Sequence, residues 1–143
     1  AASVLSSVEG GYDVVYGWDA GAGSYLSFFG AGGNLGRLDE TTGFWIRMND
    51  EATLSVVGEA PGPVQIPLVK GWNLIGYPWR TPLPPQEALA SIDSSYDIVY
   101  AWDPSSRSWL FYAPGLGHGT LKEMGPGQGY WVYASHDSVL TIG

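Results

Sequence analysis

Along the second half of the chain apolar and polar positions alternate in short runs separated by turn residues, the period-two signature of strands with two unlike faces. The runs fall at 96–102, 109–112, 130–133 and 139–142. In the first of them Tyr96, Ile98, Tyr100 and Trp102 share one face and Asp97, Val99, Ala101 and Asp103 the other, so the aromatic side is expected to be core. Before it, Pro85, Gln86 and Glu87 open a short helix, with Pro at its first turn and Leu89 and Ile92 three residues apart on one side. Asp103, Pro104, Ser105 and Ser106 supply turn chemistry, because Pro presets φ and Asp accepts backbone hydrogen bonds.

The same pattern occurs earlier. Tyr12-Asp13-Val14-Val15-Tyr16-Gly17-Trp18-Asp19 and Tyr96-Asp97-Ile98-Val99-Tyr100-Ala101-Trp102-Asp103 agree at six of eight positions. At the same offset Leu5 and Val8 face Leu89 and Ile92, and Tyr25 and Leu26 face Trp109 and Leu110. After a two-residue shift Gly43, Phe44, Trp45 and Ile46 face Gly129, Tyr130, Trp131 and Val132, and 52–56 faces 138–142. The chain therefore divides into a first β repeat at 2–58, a linker and central segment at 59–85, and a second β repeat at 86–143. The central segment has no second copy. Its two apolar runs, turning at Val69, Lys70 and Gly71, predict a hairpin. Either the first repeat has lost such a hairpin to truncation, the preferred reading, or one hairpin serves both. The start at Ala1, Ala2 and Ser3 is what a processed or excised fragment would show. The expected fold is all-β, an antiparallel sandwich or barrel-like module of two homologous repeats with one short helix each, about ten strands, and glycine-rich loops at 30–36 and 113–119.

Composition narrows the partners. Fourteen acidic against six basic side chains give a net charge of −8, which disfavours nucleic acid and anionic membrane surfaces. No apolar run reaches the roughly 18–20 residues of a spanning helix, so membrane insertion is not expected. Twenty-one Gly, ten Pro and only 14% charged residues fit a β-rich chain. Without cysteine there is no disulfide framework and no thiolate metal site.

Gly71-Trp72-Asn73-Leu74-Ile75-Gly76-Tyr77-Pro78, the Tyr96-to-Pro104 run and Gly127-Gln128-Gly129-Tyr130-Trp131 together resemble a tandem repeat module of secreted and cell-surface bacterial and archaeal proteins, over essentially the whole chain. The resemblance implies an extracellular or cell-surface location and an accessory role beside neighbouring domains of a larger surface protein or polysaccharide-acting enzyme. The first repeat departs from it, lacking the Gly-Trp-Asn element.

Alternation also nominates a binding face. Trp109 and Phe111 alternate with apolar Leu110 and Tyr112, and Trp131 and Tyr133 with Tyr130 and Val132. The corresponding positions in the first repeat are Tyr25, Trp45 and Arg47, and an Arg there argues that this face is wet. Trp79, next to Arg80 in a proline-bounded loop, joins the set. Flat exposed rings stack on the apolar faces of sugars, which makes a polysaccharide or cell-surface glycan the expected partner. The competing reading is a structural or adhesive repeat whose aromatics serve packing. Catalysis is not expected: Asp13 and Asp19, like Asp97 and Asp103, lie about 20 Å apart along one strand, whereas glycosidase carboxylates stand roughly 5–9.5 Å apart. His118 and His136 lack metal-motif spacing. No cofactor is expected, with calcium held by loop carbonyls and scattered Asp as the one alternative.

Overall fold

A computed structural model describes residues 2–30, 32–56, 58 and 62–142. Glu59, Ala60 and Pro61 of the linker, Ala31 of the first glycine-rich loop, and Gly143 lie outside the described residues. The described chain is mostly β, in antiparallel sheets with no closed barrel. In chain order the strands are β1 (Tyr12–Asp19), β2 (Ser24–Phe28), β3 (Trp45–Met48), β4 (Val64–Leu68), β5 (Gly71–Gly76), β6 (Tyr96–Asp103), β7 (Ser108–Ala113), β8 (His118–Gly119), β9 (Gly129–Ala134) and β10 (Ser138–Ile142), with helix α1 (Pro85–Ala88) ahead of β6. They form a three-stranded sheet ordered β2-β1-β3, a five-stranded sheet ordered β5-β9-β6-β7-β8, and a two-stranded ladder of β4 with β10.

Strands stand where alternation predicts them, but three expectations are corrected. The central segment is not a hairpin. β5 pairs with β9 and β4 with β10, so 64–76 is an arch whose two arms enter different sheets. Asn73 holds the corner: its side chain accepts from Val69 N (3.1 Å) and donates to the carbonyls of Val69 (2.9 Å) and Gly71 (3.1 Å). Buried at 4% exposure, the amide finds these partners inside the turn and a further, longer one at 3.4 Å in the Val132 carbonyl of β9. Lys70 N adds a bond to Asp137 Oδ1 (2.7 Å), tying this corner to the one between β9 and β10.

The second correction concerns β6. Tyr96 pairs with Ala134 and Ile98 with Tyr133, which leaves Asp97 as an extra residue in a bulge. An extra residue reverses the faces downstream of it. Val99 and Ala101 are accordingly buried at 0% and 1%, while Tyr100 and Trp102 turn to the opposite side. β1 behaves alike, with Tyr12 opposite Met48, Val14 opposite Arg47, and Asp13 left over. The third correction is in the first half: 52–56 forms no strand, and its helical stretch is only a 3-10 turn at Ser6–Val8. A smaller difference is β8, a two-residue strand inside the loop expected at 113–119.

Two cores result. The larger lies behind the five-stranded sheet, where Val99, Tyr130 and Val132 meet Leu89 and Ile92 of the helical stretch and Ile66, Leu68, Leu140 and Ile142 of the ladder. Each fully buried aliphatic side chain there contributes about 2 kcal/mol. The smaller lies behind the three-stranded sheet, built on Leu5, Val8, Val15, Leu35 and Leu38. Corresponding bonds recur in both halves: Ser27 N to Asn34 Oδ1 (2.8 Å) and Phe111 N to Thr120 Oγ1 (3.1 Å), Leu35 N to Ser27 O (2.9 Å) and Leu121 N to Phe111 O (2.8 Å). The segment before β3 joins the sheets, since Thr42 bridges Ile75 and Gly76 N donates to Thr41 O at 2.9 Å.

Candidate functional site

The faces turned away from the two cores carry a layer of aromatic side chains that includes Trp18, Trp45, Trp72, Trp102, Trp109 and Trp131. Register sets their grid on the five-stranded sheet: Trp72 lies opposite Tyr133, Tyr100 between Trp131 and Phe111, and Trp102 opposite Trp109. On the three-stranded sheet Trp18 is opposite Tyr25, and Trp45 is opposite Tyr16. The two sets meet. Trp18 stands edge-on to Trp131 (centroids 5.4 Å apart) and Trp45 edge-on to Trp109 (5.4 Å), the geometry that ring quadrupoles favour. Trp18 Nε1 also donates to the main-chain carbonyl of Trp72 at 2.9 Å.

Between the sheets these rings leave an open groove of about 510 Å³, lined by Trp18, Tyr25, Trp72, Tyr100, Trp109 and Trp131. That volume falls within the roughly 300–1,000 Å³ of small-molecule sites. Tyr25 is 55% exposed, Trp109 46% and Trp72 38%. Tyr25 and Tyr100 hydroxyls and the indole N–H groups of Trp72, Trp109 and Trp131 make no hydrogen bond among the described residues, and none is a sealed, unsatisfied donor. The groove thus offers apolar ring faces with solvent-facing polar atoms at their edges.

Of the residues nominated from sequence, Tyr25, Trp109 and Trp131 line this groove. Tyr133 backs it through an edge contact with Trp72 (5.1 Å), and Trp45 touches Trp102 and Trp109 beside it. Phe111 lies on the same face opposite Tyr100. Arg47 is exposed on β3 and its Nε stands 3.7 Å from Asp13 Oδ2, so it pairs with the bulge residue. Trp79 lies outside this groove: it is partly buried and packs against the larger core. Alternation missed Trp18, Tyr100 and Trp102 because the bulge was not read. Trp72 was missed because no second copy drew attention to its strand. One signal was present: Gly17 and Ala101, both small, follow Val15 and Val99 at the buried spacing.

The carboxylates flanking the strands are turn fixtures. Asp103 Oδ1 accepts from Ser105 N (3.0 Å) and Ser105 Oγ (2.7 Å), and Oδ2 from Ser106 Oγ (2.9 Å). These bonds, the Ser105 hydroxyl first, hold its pKa below the usual carboxylate range. Asp19 Oδ1 likewise accepts from Ala22 N at 3.1 Å. In the loop that reaches β5, burial pushes Asp39 upward, but bonds from Thr41 and Thr42 and the charge of Arg37 outweigh it and leave its pKa lowered. Among the described residues no three His, Asp or Glu side chains gather where one metal ion could be held, and no helix is long and apolar enough to cross a membrane. Comparison with protein-family models, curated proteins and solved structures found no match to this chain.

Proposed function

We propose that the chain is a non-catalytic accessory module of a secreted or cell-surface protein, a sandwich of two copies of one β unit, which binds polysaccharide in the aromatic groove. The observation that carries the binding reading is the groove itself: six aromatic side chains, several half-exposed, converge with hydroxyl and indole donors free toward solvent. Ring faces suit the C–H surfaces of pyranose rings, and the edge donors suit their hydroxyls. The recurring bonds and the bulge shared by β1 and β6 support the two-copy reading. The location follows from the resemblance of its sequence motifs to surface-protein repeats.

Calorimetry of the chain against a panel of soluble polysaccharides tests binding. Saturable binding is expected, weakened at least tenfold by Trp109→Ala or Trp72→Ala and unchanged by Trp79→Ala, which lies outside the groove and packs against the larger core. If no glycan binds, or the groove substitutions leave affinity intact, the reading is wrong. A second reading, a structural or adhesive repeat, draws on the edge contacts by which the same aromatics pack one sheet against the other. Acrylamide quenching separates the two: a bound glycan protects groove tryptophans, whereas a purely structural layer gives no ligand-dependent change.

A further inference from the structure

The two halves differ most where β4 and β5 lie. In the second half the arch at 64–76 covers both β9 and β10: β5 pairs along β9, β4 pairs along β10, and Leu140 and Ile142 are buried at 0% and 2%. In the first half β3 matches β9 and 52–56 matches β10, yet among the described residues neither the outer edge of β3 (Trp45–Met48) nor 52–56 is paired with a strand. Leu54 and Val56, at the positions of Leu140 and Ile142, are 37% and 60% exposed. The segment is nonetheless docked as its counterpart is. Ser55 N donates to Ser7 Oγ at 2.8 Å, as Thr141 N donates to Ser91 Oγ at 2.8 Å.

We propose that the outer edge of β3 together with 52–56 is a docking surface for a second β-arch of the same chemistry as 64–76, contributed by a polypeptide segment outside residues 2–142. Such an arch would add one strand to the β3 edge and lay another along 52–56, which is strand addition at two edges at once. The registers of the second half transfer directly. The incoming residue equivalent to Ile66 lies opposite Leu54, the one equivalent to Val64 opposite Val56, and the one equivalent to Trp72 opposite Arg47, where Tyr133 stands in the second half. A guanidinium can stack on that indole as Tyr133 packs on Trp72. The arch of another copy of this chain is not the occupant, because β9 and β10 already engage it. The inference rests on the two-copy reading and is independent of glycan binding.

The test appends a copy of residues 62–84 directly ahead of the first residue of the full chain and follows amide hydrogen exchange. Alternate amides of a paired strand face its neighbour. Because Ser55 N is taken by Ser7, the amides of Leu54 and Val56 are those expected to gain protection, at least tenfold, with a higher melting temperature. The same fusion carrying Ile66→Asp and Leu68→Asp in the appended copy alone is expected to show neither change. Equal exchange in the two fusions overturns the proposal. So does a chain without the addition that sediments as a dimer with these amides already protected, since a second copy would then be the occupant. Failure of the two-copy reading has its own signature: Ser7→Ala would leave exchange at Ser55 unaltered.

Discussion

The indole of Trp18 in β1 and the main-chain carbonyl of Trp72 in β5 share a hydrogen bond of 2.9 Å across 54 positions of sequence, joining the three-stranded sheet to the five-stranded one at the groove. Trp18→Phe keeps a ring for Tyr25 and Trp131 but removes the donor. A loss of about 1 kcal/mol is expected, the usual net worth of such a bond. Trp18→Ala also forfeits the ring contacts and is expected to cost about 3 kcal/mol. Urea unfolding followed by far-ultraviolet circular dichroism measures both. Equal stabilities for wild type and Trp18→Phe would show that the bond does not couple the sheets.

Asn73→Ala attacks the arch from inside. It leaves Val69 N and the carbonyls of Val69 and Gly71 without their side-chain partner in a part-buried turn. Unmade buried bonds cost about 1–3 kcal/mol, and the expected loss is about 2–3 kcal/mol. Because the arch serves β9 and β10 together, exchange should accelerate in both strands of the larger core. Acceleration confined to 69–73 would mean that the corner is not structural for the rest.

Alternation was enough to locate the four main strands of the second half, because it depends only on neighbouring residues, but not to show that 52–56 forms no strand or that His118–Gly119 forms one. Asp103 and its two serines could be read as a turn for the same reason, and the structure supplies each bond. The face of β6 could not be read, since the bulge at Asp97 is decided by how β9 lies alongside it. Pairing partners were illegible on similar grounds. Two apolar runs around a Lys-Gly turn look like a hairpin, and only Asn73, bonding back into the turn, and the stacked β9–β10 corner make it an arch. The groove combined both problems: Tyr25, Trp109 and Trp131 came from strands whose phase was right, whereas Trp18 and Tyr100 follow bulges.

Close backbone approach at Gly76 gives a third expectation. A methyl group there would stand 2.6 Å from Glu40 O and 3.1 Å from Thr42 O, backbone atoms that cannot swing aside. Gly76→Ala should therefore push the 40–43 segment off β5 and cost about 2–3 kcal/mol. Gly115→Ala, with open space at its Cβ, is the matched control and should be near neutral. Comparable melting temperatures for the two variants would contradict a tight junction at this point.

Stability should fall in alkali, and the sign follows from three tyrosines of the larger core. Burial pushes Tyr96 from the ordinary 10.0 up to about 12, with Tyr112 and Asp93 adding to the effect. Tyr77 is raised chiefly by burial, and so is Tyr130, in its case against the opposing bond from Gly125. A phenol whose pKa is higher folded than unfolded keeps its proton longer in the folded state, so between these values the folded chain binds more protons. Its contribution is complete below about pH 10 and drains away as pH climbs toward 12. Urea midpoints across that window should decline while those from pH 7 to 9 stay level, with tyrosinate absorbance reporting the ionisation. Tyr96→Phe should flatten part of the decline. A midpoint that holds steady up to pH 12 would mean that these hydroxyls are not held in the low-dielectric setting the fold gives them.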